Sequence, residues 1–231
     1  MSRYAGEPDL GPWSPVPVGE VARDLVALAR TGRAGTTHTG ALVVAVDGRS
    51  AGGKSTVAGR LAEAIGDATV LHTDDVAWHH GFFDWDGLLV DGVLAPLSQG
   101  EAVSFRPPAW VERGRAGEIE LPAGVGVVVV EGVGASRRSL APWLDAAVWV
   151  QSDEDEAYRR GIERDIGLGR GREEAVAFWD EWMVHEVPFL AADRPWERAD
   201  LVVRGTPSEP VDGLLVSRAR ATRGGPAPRT S

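Results

Sequence analysis

Cysteine is absent from the 231 residues, and so is asparagine. Without cysteine there are no disulfides and no thiolate metal sites, which fits a cytoplasmic protein. Without asparagine there is no N-K-x-D segment of the kind that reads guanine in GTPases. No apolar run approaches the roughly 20 residues that span a bilayer, so no membrane partner is expected. The start, Met1-Ser-Arg-Tyr-Ala-Gly-Glu-Pro8, has no apolar stretch behind basic residues and is not read as a signal peptide. Positive charge is also scarce: 24 Lys and Arg stand against 34 Asp and Glu, for a net charge of −10. Such a surface repels phosphate backbones and argues against nucleic acid as a partner. Small anions are still admitted, because local basic residues and backbone amides hold them.

What is present is an ordinary globular composition, 43% hydrophobic and 25% charged. The length suits one α/β domain with a small lid. Nine tryptophans are many for this length. Most are expected in the core, but Trp85 and Trp110 fall in segments where a ring face could stack on a ligand.

Residues 1–19 are rich in Pro and Gly and are expected to form an irregular arm. Val21, Leu25 and Leu28 recur at helical spacing over 20–31, and Gly32 and Gly35 close that helix. Short apolar runs predict strands at 41–46, 69–72, 125–130, 147–150 and 201–203. Helical patterns lie between them, one of them capped by Ser152 with acids at 153–156 in its first turn. Strands alternating with helices predict a doubly wound parallel sheet, with ligands at the strands' carboxyl ends. The expected division is an arm and helix over 1–35, an α/β domain over 36–216 with a lid at about 152–172, and a flexible tail over 217–231.

Gly48-Arg-Ser-Ala-Gly-Gly53-Lys54-Ser55 satisfies G-x-x-x-x-G-K-[ST] between a predicted strand and a predicted helix, the setting that the motif requires. Gly48, Gly52 and Gly53 let the backbone turn so that amides of the loop, including those of Ser50 and Ala51, face phosphates. The helix opening at Lys54 aims its positive end at them. Lys54 supplies charge for the β- and γ-phosphates, Ser55 a ligand for Mg²⁺, and Thr56 a hydroxyl near the α-phosphate.

A kinase of small molecules needs three further parts. The first is a carboxylate near the acceptor hydroxyl. Strand 69–72 ends in Thr73-Asp74-Asp75, so either aspartate is a candidate base, the other a partner for a magnesium water. The second is an acid at another strand end to help hold Mg²⁺, and Val127–Val130 ends in Glu131. The third is a set of cations over the transferring group. Arg160 and Arg164 share one helix face, and glycines at 167, 169 and 171 form a hinge carrying Arg170 and Arg172. Adjacent His79 and His80 lack an evident third metal ligand and are read as substrate-loop or surface residues.

These pieces, in this order from about Val43 to Val203, resemble the uridine kinase-like family, which includes phosphoribulokinase, pantothenate kinase and nicotinamide riboside kinase. The resemblance implies a nucleoside-monophosphate-kinase-like P-loop fold, ATP and Mg²⁺ as cofactors, and a small-molecule hydroxyl acceptor. It also allows a homo-oligomer, since relatives are often oligomeric. By position it gives Asp74 the base role, with Lys54 and Arg164 as further catalytic groups and Asp74, Ser55 and Glu131 around the metal. Phe83-Asp84-Trp85-Asp86-Gly-Leu88 is similar to the family's sugar-holding segment, which makes Asp84 or Asp86 the ribose carboxylate. Arg160, Arg164 and Asp165 fall on the family's R-x-x-x-R-D lid. Pro108-Ala109-Trp110-Val-Glu-Arg113-Gly-Arg115 stands where the family reads its base and departs from it: the tyrosine, aspartate and histidine positions hold Pro108, Ala109 and Arg113. Trp110 and Arg113 are therefore expected at the substrate, and an acceptor that already carries an anion would engage Arg113 and Arg115.

Overall fold

Alternating valines build the centre of the molecule. In Val43-Val-Ala-Val46 and Val127-Val-Val-Val130, successive side chains point to opposite faces, and both faces are buried. Val43, Ala45, Val128 and Val130 meet one core, while Val44, Val46, Val127 and Val129 meet another. A strand buried on both sides belongs to a sheet covered by helices on both faces. This computed structural model describes residues 6–34, 37–205, 207 and 211–217. The expected tail beyond Ser217 lies outside the described residues.

The strands are β1 (Trp13–Val16), β2 (Leu42–Gly48), β3 (Ala68–His72), β4 (Val103–Phe105), β5 (Ile119–Leu121), β6 (Val127–Glu131), β7 (Ala146–Gln151), β8 (Leu201–Arg204) and β9 (Leu214–Ser217). Seven of them form one sheet in the order β1-β9-β8-β7-β2-β6-β3, and β4 pairs with β5 in a separate ribbon. From β8 to β3 the pairing is parallel, and β9 and β1 add an antiparallel edge. The helices are α1 (Val18–Arg33), α2 (Lys54–Ile65), α3 (Thr73–Ala77), α4 (Asp86–Leu89), α5 (Ala95–Ser98), α6 (Pro108–Glu112), α7 (Glu154–Gly167) and α8 (Arg172–Asp193), with a π-helical turn at Val90–Leu94 joining α4 to α5. Helices α1 and α2 cover one face through Val21, Leu25, Ala29, Val57 and Leu61. Trp85, Leu89, Leu94 and Trp110 cover the other.

The mostly parallel sheet with flanking helices is the expected fold, and α2 begins at Lys54, where the sequence predicts. Three details differ. The arm is not irregular throughout: Trp13–Val16 pairs residue by residue with Leu214–Ser217, because the edge strand β9 offers it free ladder groups. The cap of α7 is Asp153 rather than Ser152, its carboxylate accepting from Glu156 N, while Ser152 is buried. The hinge is a short link over residues 168–171: α7 stops at Gly167, Gly169 has φ +100, and α8 starts after Gly171 and runs 22 residues.

Candidate active site

Three strand ends are aligned by register. Val46 and His72 both stand opposite Glu131, and Gly48 stands opposite Val150. The phosphate loop after β2, the Thr73-Asp74 step after β3 and Glu131 at the end of β6 therefore emerge together. They wall a cavity of about 580 Å³ that α7 and α8 close from the other side.

The floor of this cavity is the loop from Ser50 to Thr56. Gly53 adopts φ +96, and a Cβ there would lie 2.4 Å from the Gly205 carbonyl oxygen. From the other direction, a Cβ on Gly205 would lie 1.9 Å from the Gly52 oxygen. The loop thus rests backbone to backbone on the turn after β8, a contact only glycine permits. Lys54 is 93% buried in effect, at 7% relative exposure, and its Nζ donates to the Arg49 carbonyl at 2.9 Å. It is the only lysine in the sequence. Helix α8 reaches the same loop: Ser50 N donates to the fully buried Glu186 carboxylate at 3.2 Å, and Trp182 Nε1 also donates to it.

On the opposite wall, Asp74 sits in the first turn of α3 and lines the cavity. Its neighbour Asp75 turns away and pairs with Arg115 at 2.6 Å. Glu131 is buried, lines the cavity and is held at 2.7 Å by His72 Nδ1 across the strand pair. The turn that follows Glu131 is pinned by Asp47, which accepts from Gly134 N, Ser136 N and the Ser136 hydroxyl. Complete burial pushes the Asp47 carboxyl up, against the lowering effect of those hydrogen bonds.

Arg160 and Arg164 of α7 reach the cavity. Arg160 Nε is steadied by Glu156 at 2.7 Å and Arg164 Nε by Asp165 at 3.0 Å. Arg170 instead spans Asp165 and the Phe178 ring and does not line the cavity. The remaining walls are aromatic: Phe82 and Trp85 before α4, and Phe178, Trp179 and Trp182 on α8, with His79 and His80 at the rim.

The four residues expected at the substrate are not brought there. Trp110 is buried in the core, with Nε1 donating to the Asp75 carbonyl at 2.9 Å and Arg115 lying 3.6 Å over its ring. Arg113 is exposed at the end of α6. Asp84 is exposed, and Asp86 is tied to the Ser139 hydroxyl and to Arg137 at 3.4 Å. Desolvation pushes the Asp86 carboxyl up, but the Ser139 hydroxyl and Arg137 outweigh it, so its pKa lies below the usual range. The signal for the aromatic wall was present as Trp179 and Trp182, three apart and hence adjacent on one helix surface. Their neighbour across the cavity is set by the packing of α8, which no local pattern announces.

Ser55, Asp74 and Glu131 bring a hydroxyl and two carboxylates to one cavity. That donor set suits Mg²⁺, which keeps several waters and takes other ligands from phosphate. Among the described residues no group of three or more His, Asp or Glu could hold a metal on its own. No helix among them is long and apolar enough to cross a membrane.

No known family profile and no curated protein matches the chain. Solved structures do. A proposed fructose transport system kinase from Silicibacter sp. TM1040 is 18% identical with a TM-score of 0.53, over 78% of this chain and 94% of that one. A candidate uridine kinase from Bacillus stearothermophilus is 20% identical with a TM-score of 0.42, over 79% and 98%. The protein YGR205w is 11% identical with a TM-score of 0.49, over 82% and 93%. The first of these likenesses shows the fold alone, a mostly parallel sheet with flanking helices.

Proposed function

We propose that this chain is an ATP-dependent kinase that transfers the γ-phosphoryl group to a hydroxyl of a neutral, ring-bearing small molecule such as a nucleoside. The observation that carries the reading is that Asp74 and the phosphate loop line one cavity, with Glu131 at the end of the strand between theirs and with Arg160 and Arg164. A pure nucleotide binder has no use for a carboxylate at that position.

The roles follow from charge. Lys54, Arg160 and Arg164 neutralise the transferring group, and the loop amides hold the β-phosphate. Asp74 orients the acceptor hydroxyl and takes its proton as the new P–O bond forms and ADP departs. Mg²⁺ held by Ser55 and, directly or through water, by Asp74 and Glu131 would neutralise phosphate oxygens. Helix α7 with its link to α8 acts as the lid that excludes water. A groove of about 390 Å³ between α2 and the β8–β9 edge, lined by Thr56, Arg60, Arg204 and Leu214, continues from the loop and suits the nucleotide base.

The acceptor side supports a neutral ring over an anion. Its walls are Phe82, Trp85, Phe178 and Trp182, where planar groups stack. Arg115, a candidate for a second phosphate, is already engaged by Asp75 and Trp110. Uridine specificity finds no support, since the segment 108–115 does not reach the cavity.

The test is ADP release from Mg-ATP against uridine, cytidine, purine nucleosides, nucleoside monophosphates, nicotinamide riboside and pantothenate, with Asp74→Asn alongside. Stimulation by a neutral nucleoside, lost in Asp74→Asn while ATP still binds, is the expected outcome. Stimulation only by the anionic members sinks the acceptor class. No stimulation by any, with Asp74→Asn behaving like the parent, sinks the transfer reading.

A further inference from the structure

The phosphate loop is gripped from outside its own motif. Glu7, in the N-terminal arm, has a fully buried side chain that accepts from Arg49 Nη2 at 2.6 Å, and Arg49 is itself only 1% exposed. The other Glu7 oxygen accepts from Trp149 Nε1 and Gln151 Nε2, each at 2.9 Å. Gln151 also donates to the Pro8 carbonyl at 2.9 Å and accepts from Leu10 N at 3.3 Å. Residues 7–10 are thereby fastened to β7, two strands' breadth from where the arm joins the sheet as β1.

Taking two opposite charges out of water is costly unless hydrogen bonds satisfy both, and in some proteins such pairs serve to fix a geometry. The geometry fixed here is that of Arg49, the second residue of the phosphate loop. Its carbonyl accepts from Lys54 Nζ at 2.9 Å and from Gly52 N at 3.1 Å, and a Cβ on Gly52 would lie 3.1 Å from Arg49 Cγ. Arg49 therefore sets the path of the loop and the seat of its lysine, while neither Arg49 nor Glu7 lines the cavity.

We infer that Glu7 is a positioning residue for the phosphate loop, so that the N-terminal arm tunes nucleotide affinity without touching the nucleotide. This rests on the reading of the loop as a nucleotide site. The experiment is calorimetric titration of the full chain with Mg-ADP, well below each protein's melting temperature, for the parent, Glu7→Gln and the double variant Glu7→Met with Arg49→Met. Glu7→Gln is expected to melt earlier and to bind Mg-ADP about tenfold more weakly, within the usual range of coupling between sites. The double variant removes both charges, so its melting temperature should recover, but its affinity should not. That split separates positioning from general stability and keeps the test valid should Glu7→Gln fail to fold. Folded variants that bind Mg-ADP like the parent overturn the positioning role alone. A parent that does not bind Mg-ADP overturns the nucleotide reading of the loop, and this inference with it.

Discussion

Asp74 and Asp75 are chain neighbours with opposite surroundings: one faces the cavity, the other an arginine on the outer surface. The proposed roles make them unequal. Asp74→Asn should lower acceptor-stimulated ADP release by about 10²–10⁴-fold, the usual contribution of a general base, with Mg-ADP binding retained. Asp75→Asn should change it only a few-fold, since it loses a half-exposed ion pair. Asp86 carries a prediction about pH. Its folded pKa lies below the unfolded value of about 3.9, so its stabilising contribution is complete above that value. It is lost as pH falls through the lower folded one. Thermal melts from pH 6 to 3 should show the parent losing stability over the acid end of that range. Asp86→Asn should start lower at pH 6, since buried Arg137 loses its partner, and should decline less. An equal slope in both proteins would remove Asp86 from the account.

Helices α7 and α8 meet at a point with no slack. A Cβ on Gly161 would lie 1.9 Å from the Trp179 ring, and the buried ring fills the gap that glycine leaves. Gly161→Ala should force the helices apart at a cost of about 1–3 kcal/mol, the range for an overpacked core, read as a lower melting temperature. Because Arg160 and Arg164 ride on α7 and Trp182 on α8, acceptor-stimulated turnover should fall further than stability explains. The elements themselves were legible to different degrees. The five parallel strands announce themselves as apolar runs bounded by turns, most plainly β2, β6 and β7, whose faces are both buried. Strand β1 did not, since Trp13-Ser-Pro-Val16 becomes a strand only by pairing with residues some 200 positions away. Helix α8 also has no apolar stripe to read. Trp179 packs with Ile162 and Ala175, Leu190 packs in a separate cluster with Trp149 and Trp196, Val184 is exposed and Glu186 is buried, so its sequence shows neither period clearly.

Across the whole molecule, the loop end of the site was legible and the acceptor end was not. The loop end is local: one motif and three strand ends suffice to bring Lys54, Ser55, Asp74 and Glu131 together. The acceptor end is assembled from distant helices, so Trp110 and Arg113, close to the cavity by analogy, are spent instead on the core and surface. A ligand that binds only the folded chain stabilises all of it. Mg-ADP at about 100 times its dissociation constant should add about 2.7 kcal/mol, which for a chain of this size raises the melting temperature by roughly 5–10 °C. Omitting Mg²⁺ should shrink the rise, and no rise under either condition would count against the nucleotide reading.

With Lys54 as its sole lysine, the chain concentrates all of its side-chain amine chemistry in the floor of one cavity. Acylating reagents, and any cellular enzyme that marks lysines, meet a surface whose positive charge is otherwise arginine. They find the single ε-amine only by entering the phosphate loop. A tag on that amine would silence the loop and report its accessibility at once, and a peptide map that separates it from a tag on the backbone α-amine counts the open sites.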